Sequence, residues 1–261
     1  MTSLATYRRS VLHAAHLPVY DFLAPSFIQI PRASRVRYIS TTRKLAAIPD
    51  QSSNTPNPGQ SASSNAPSLK KPLTQAQREF LSQAFRVNQA GELAATLIYI
   101  AQTPPIVASH PHLRPLMKHM YDQEAGHLET FNTLLAKHRV RPTAMYPIWT
   151  IAASALGWGT AIMGREAAMA CTEAVETEIG GHYNEQLRVL VDMVEQMEES
   201  GEEVGNELKE LMSTIRRIRD EELEHLDHAV ENEAKQAQPY ELLTGIIKAG
   251  CRGAIWISER V

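Results

Sequence analysis

Proline spacing constrains this chain more than any other feature. None occurs between Thr74 and Pro104, or between Pro147 and Pro239, so long segments are free to propagate helix without losing a backbone donor. Thr74 and Gln77 form a capping-box pattern, which predicts a first helix over about 75–102. A second is expected over about 112–138, with Pro111 and Pro115 near its first turn and Pro142 beyond its end. Three more follow over about 146–163, 165–199 and 202–235, the last begun by a second capping-box pattern at Ser200 and Glu203 beside Gly201. A final helix is expected over about 240–259. No segment reads as a strand with a tight hairpin turn, so the fold class is all-α.

Four glutamates fall where such helices place their apolar stripes. At 100° per residue, Leu81, Phe85, Asn88, Glu92, Ala95 and Tyr99 share one face. Met117, Met120, Glu124, His127, Leu128 and Phe131 share another, as do Thr172, Glu176, Ile179, Tyr183 and Leu187. Leu211, Ile215, Ile218, Glu222, His225 and Ala229 complete the set. Glu178 falls nearly opposite Glu176 and is expected in solvent; Glu173 is expected on a flank. One buried unpaired carboxylate costs several kcal/mol, roughly, and four facing one another need neutralising. Protons or arginines would serve, yet the histidines three residues after Glu124 and Glu222 indicate metal. One Glu from each of two helices, with Glu-x-x-His from two others, is the dinuclear constellation of a ferritin-like four-helix bundle. Four carboxylates and two neutral imidazoles balance two divalent cations, and oxygen-rich donors favour iron or manganese over zinc.

With 23 glutamates and 10 histidines, chance alone predicts about one Glu-x-x-His pair. The order carries more weight. DQEAGHLE (122–129) and DEELEHLD (220–227) share Asp, Glu, His, Leu and a final acid in register, as two halves of an internal repeat. Two cysteines, Cys171 and Cys251, exclude a disulfide scaffold or a Cys-rich zinc site.

The net charge of −3 hides an asymmetry. Residues 1–44 carry seven Arg or Lys against Asp21, which leaves −9 on residues 45–261. An acidic body argues against a nucleic-acid partner. The basic, Ser- and Ala-containing leader has the composition of a mitochondrial transit peptide, expected over 1–40 with cleavage near Tyr38–Ser40; a basic tail retained in the mature protein is the alternative. Residues 49–68 hold 14 Pro, Ser, Asn or Gly in 20 positions. A disordered linker is therefore expected over 41–70, and a folded domain over 71–261. A matrix location would keep both thiols reduced.

The segments RVNQAGE (86–92), DQEAGH (122–127), MACTEAVE (169–176), HYN (182–184), DEELEH (220–225) and AGCRGAIWISER (249–260) resemble the 5-demethoxyubiquinone hydroxylase family. The resemblance implies a ferritin-like di-iron monooxygenase of ubiquinone biosynthesis that uses O2 and NADH to hydroxylate the benzoquinone ring of 5-demethoxyubiquinone. Carried over by position, the iron ligands are Glu92, Glu124, His127, Glu176, Glu222 and His225, the six already chosen on helix geometry. The glutamates of the two Glu-x-x-His pairs would bridge the irons. The resemblance also implies that His182 and Tyr183 assist electron transfer; packing and hydrogen bonding around the ligands is an equal reading. Assembly with other ubiquinone-biosynthesis proteins, including a lipid-binding one, is implied too. His119 and His228 match no ligand position and read as surface or flank residues.

Residues 142–164 are uncharged throughout and by length could span a bilayer. Pro147 and three glycines interrupt them, so with the final helix they read as a pair dipping into one leaflet, on the matrix face of the inner membrane. That suits a polyprenyl quinone; a buried core helix or a dimer interface is the alternative. On the last helix Arg252, Trp256 and Arg260 fall at i, i+4 and i+8. Arginines suit a pyrophosphate and Trp stacks on a ring, and the resemblance implicates this segment in NADH binding, although another aromatic is usual at 256. Headgroup snorkelling explains the arginines equally well. Two rivals remain at this level: another ferritin-like activity, such as iron oxidation or peroxide reduction, and a non-catalytic lipid-binding helical protein.

Overall fold

The structure, a computed structural model, describes residues 72–261. The expected transit peptide and the whole of the expected linker lie outside the described residues. Six α-helices account for most of what is described: α1 (Gln75–Ser109), α2 (Arg114–His138), α3 (Tyr146–Met163), α4 (Arg165–Glu199), α5 (Asn206–Glu231) and α6 (Tyr240–Ser258). Short 3-10 turns precede α2 and α6. There is no strand among the described residues.

Local chemistry sets most of the ends. Thr74 accepts from the Gln77 amide while the Gln77 side chain returns to the Thr74 amide, closing both halves of the capping box. Two expectations shift. α1 runs through Pro104 and Pro105 to Ser109, because its last turn is packed: Ile106 and Val107 are buried against α2. Tertiary burial outweighs the lost donors there. The second capping box does not form. Ser200 closes α4 instead, Gly201 takes a left-handed φ of 69°, and the Glu202 amide reaches back to the Met197 carbonyl at 2.7 Å. This is the Schellman closure of a helix, which glycine adopts without steric cost, so α5 begins only after Gly205 and ends at Glu231.

α1, α2, α4 and α5 form the four-helix bundle. α1 packs on α2 and α4 on α5, while α3 occupies the crossover between the two pairs and lies along α1; α6 returns along α4. One apolar cluster at each end of the bundle sandwiches the polar centre: Tyr99, Met117, Met120 and Met169 at one, and Phe85, Phe131, Leu190 and Ile215 at the other. The helix expected over 146–163 forms as α3, and Pro147 occupies its first turn, where its missing donor is not needed. Gly157 serves contact: a Cβ there would stand 2.6 Å from the Ile98 carbonyl oxygen of α1. Its absence lets the two backbones close together.

Candidate metal centre

The four stripe glutamates and both stripe histidines meet at mid-bundle, each at most 1% exposed. α1 brings Glu92, α2 Glu124 and His127, α4 Glu176, and α5 Glu222 and His225. Their donor atoms form two overlapping groups, Glu92–Glu124–His127–Glu222 and Glu124–Glu176–Glu222–His225, with donors within 4.8 Å in each. Glu124 and Glu222 belong to both. Nδ1 of His127 lies 3.0 Å from Glu222 and 3.4 Å from Glu92. Nδ1 of His225 lies 2.8 Å from Glu124 and 3.5 Å from Glu222.

Electrostatically the cluster is under load. Burial raises the carboxyl groups of Glu92, Glu124 and Glu176, and the charge of Glu222 raises each further. Glu222 goes the other way: burial opposes its charge, but the close approach of His127 and His225 holds it down to about 2. Burial likewise opposes a charged His127, yet the nearby Glu222 and Glu92 carboxylates lift it to about 12. Burial and the neighbouring carboxylates push the phenols of Tyr99 and Tyr183 upward. Eight donor atoms of the six residues, among them both oxygens of Glu124 and of Glu222 and Nδ1 of both histidines, are buried without a well-formed hydrogen bond. Buried polar groups are normally paired, so this hard, oxygen-rich donor set fits two divalent cations.

Around it lie residues the sequence reading missed. His127 directs Nε2 to Glu221 at 2.6 Å, and Arg217 grips that carboxylate at 2.7 and 2.9 Å. His225 directs Nε2 to Gln123 at 2.8 Å. The internal repeat held the signal, since Gln123 and Glu221 each precede the bundle glutamate of their own half and each reaches the histidine of the other. Tyr99 donates to Glu176 at 3.2 Å, and Tyr183 donates to Glu92. Asn88 and Gln186, also missed, form a reciprocal amide pair below Glu92.

A cavity of about 360 Å³ opens between α1, α3, α4 and α6. Its walls are mainly Ala94, Ile98, Leu156, Val175, Ile179 and Ile247, and its polar end is formed by Asn88, His182 and Tyr183. Tyr183 thus joins the cavity to Glu92. His182 Nε2 is buried there without a partner, and burial lowers its pKa.

The remaining sequence candidates separate. Arg260 stacks over Trp256 at 4.2 Å and donates to its carbonyl, whereas Arg252 is paired with Glu178 at 2.8 Å. Glu178 is therefore not in solvent as expected: its side chain is 14% exposed, because α6 covers that side of α4. Glu173, expected on a flank, is buried and holds Lys235 and the Tyr240 hydroxyl, tying α4 to the start of α6. His119 is exposed and His228 half-buried.

Together the fold and cluster define a ferritin-like helical bundle with a carboxylate–histidine pocket suited to two metal ions. Comparison with known proteins narrows the class. The model of the family described as ubiquinone biosynthesis protein COQ7 matches residues 79–258. The 5-demethoxyubiquinone hydroxylase, mitochondrial, of Saccharomyces cerevisiae is 50% identical over 190 residues, 72% of this chain and 82% of that protein. The NADPH-dependent 3-demethoxyubiquinone 3-hydroxylase, mitochondrial, of Rattus norvegicus is 45% identical over 183 residues, 70% of this chain and 79% of its own length. The 3-demethoxyubiquinol 3-hydroxylase of Rhodospirillum rubrum is 41% identical over 181 residues, 69% and 78% respectively. The chain belongs to the COQ7 family of ubiquinone biosynthesis proteins.

Proposed function

We propose that this protein hydroxylates the benzoquinone ring of demethoxyubiquinone in ubiquinone biosynthesis, with two irons held by Glu92, Glu124, His127, Glu176, Glu222 and His225. The observation that carries the reading is the apolar cavity whose polar end, Tyr183, is bonded to Glu92. A quinone head entering between α3 and α6 meets apolar walls, then polar groups, then the metal ligands. Bound iron would supply O2 activation: one oxygen atom enters the ring and the other leaves as water, with two electrons from a reduced nicotinamide nucleotide. Glu124 and Glu222, common to both donor groups, would bridge the metals. His182 Nε2, free of a protein partner, is placed to hydrogen-bond a quinone oxygen. Tyr183 couples the head to Glu92 through its hydroxyl, a position from which it would assist electron transfer. The apolar walls exclude water from the reacting ring.

The family resemblance implies NADH, whereas the rat relative is named for NADPH. Both are reductants to compare at the Arg252–Trp256–Arg260 face, where the Arg260–Trp256 stack would take a ring and Arg252 would exchange Glu178 for pyrophosphate. The yeast and rat names and the basic leader support a mitochondrial location. The reading extends to a transit peptide over 1–40, a linker over 41–70, peripheral binding at the matrix face of the inner membrane, and assembly with other ubiquinone-biosynthesis proteins including a lipid-binding one.

Aerobic turnover of a short-chain demethoxyubiquinone with iron-loaded protein, with NADH and NADPH in parallel, tests the core of this reading. Hydroxylated quinone should form, and Glu176→Ala should abolish it and lower iron content. Protein holding two irons that returns the quinone unchanged with either reductant would refute the assignment.

A further inference from the structure

Outside the buried cluster, a second group of metal-ligating side chains converges on the surface of the α2–α5 pair. Nε2 of His119 lies 3.7 Å and Nε2 of His228 3.5 Å from the same oxygen, Oε1 of Glu224. The two rings stand 6.1 Å apart at 76° to one another. These separations exceed the usual range of a hydrogen bond. They match the spacing of about 3.4 Å between ligands placed tetrahedrally at 2.0–2.1 Å from one ion.

We propose that His119, Glu224 and His228 form a third metal site, binding a divalent transition ion such as Zn2+ or Co2+ independently of the buried pair. Two imidazoles and one carboxylate are borderline donors of the kind such ions select, and three protein ligands leave a position for water. His119 and Glu224 are about half exposed, at 49% and 48%, so an ion reaches the site from solvent. Glu224 and His228 are one turn apart on α5, while His119 comes from α2, so the ion would clamp two bundle helices. Glu231 stands 3.6 Å from Nδ1 of His228, on the outer side of that ring. The cluster is not a by-product of the internal repeat: the positions of α2 and α5 that correspond by the repeat are Arg217, Gly126 and Thr130, which offer no such donors. It shares no ligand with the buried pair, and Gln123, one turn after His119, separates the two through its bond to His225.

Equilibrium dialysis of the metal-free full-length protein against Co2+, with metal analysis, tests the proposal. His119→Ala/His228→Ala should bind one equivalent fewer than wild type, and Glu224→Gln should show the same deficit. All variants should keep wild-type hydroxylation when loaded with iron, because none of the six buried residues is touched. The readout is the difference of one equivalent, so it stands whether or not the buried pair takes cobalt. Equal equivalents in wild type and both variants would overturn the site, and so would loss of more than one equivalent, which would mean that it is not independent of the buried pair.

Discussion

His127 and His225 occupy matching positions in the two halves of the bundle, yet their outer partners differ in charge. Glu221, itself gripped by Arg217, backs His127, whereas the neutral amide of Gln123 backs His225. A carboxylate behind a ligating imidazole fixes the ring and raises its basicity. Glu221→Gln should therefore weaken one metal position about 10- to 100-fold and leave the other near its wild-type affinity. Chelator competition should resolve two steps further apart, or reversed in order, and an unchanged curve would show that the two histidines do not depend on these partners. Protons report on the same residues. Burial holds Glu92, Glu124 and Glu176 protonated above the usual carboxylate range, and His127 is lifted to about 12. Metal requires the deprotonated donors. Binding should release protons near pH 7, and affinity should fall as pH falls. Calorimetry in two buffers of different ionisation enthalpy checks this, with a buffer-independent heat as the contrary result.

At the level of elements, two glycines one turn-half apart on α3 have opposite roles. Gly157 is where α3 meets α1, and an added Cβ would stand 2.6 and 2.8 Å from backbone atoms of Ile98; Gly159 has no neighbour within 4 Å. Gly157→Ala should cost about 1–3 kcal/mol, as overpacking against a rigid partner does. Gly159→Ala should instead stabilise by about 0.5–1 kcal/mol through lower chain entropy in the unfolded state. Urea denaturation of the two variants should move in opposite directions. A shared direction would mean that α3 does not rest on α1 as described. The sequence does not tell these two glycines apart, because a glycine's contact partner is invisible until the other helix is present.

Across the whole molecule, α3 and α6 flank the cavity and leave their outer faces bare. Ile148, Ile151, Trp158 and Ile162 of α3 and Leu242, Ile246 and Trp256 of α6 are all more than half exposed. No described helix is long and apolar enough to cross a membrane. Contiguous apolar exposure of this kind marks an interaction surface, and its position at the cavity flank suits a lipid leaflet that holds a quinone tail. Burying one such side chain is worth roughly 1.5–3 kcal/mol. Ile151→Asp/Ile246→Asp should then cut liposome binding by at least about tenfold while leaving metal content unchanged. Undiminished flotation with liposomes would assign the surface to a protein partner instead.

Much of this protein was legible in its residue order, because helical periodicity and the Glu-x-x-His spacing are both short-range in sequence. Proline spacing and the Thr74 cap located α1, α2 and α4, and a period of 3.6 placed Glu92, Glu124, His127, Glu176, Glu222 and His225 on inward faces before any packing was known. What depends on two chain segments meeting was not legible. Glu178 looked solvated because α4 alone exposes it, and only the return of α6 brings Arg252 to it. Ser200 and Glu203 matched a capping pattern, but Gly201 closes α4 first, and a pattern of residue types does not record which helix claims them. The cavity leading to Tyr183, the pairing of Gln123 and Glu221 with histidines of the opposite half, and the convergence of His119 with Glu224 and His228 are properties of helix faces brought together. The sequence alone determined which residues turn inward, since that follows from the geometry of one helix. Which of them touch was decided by the packing of several helices around one core.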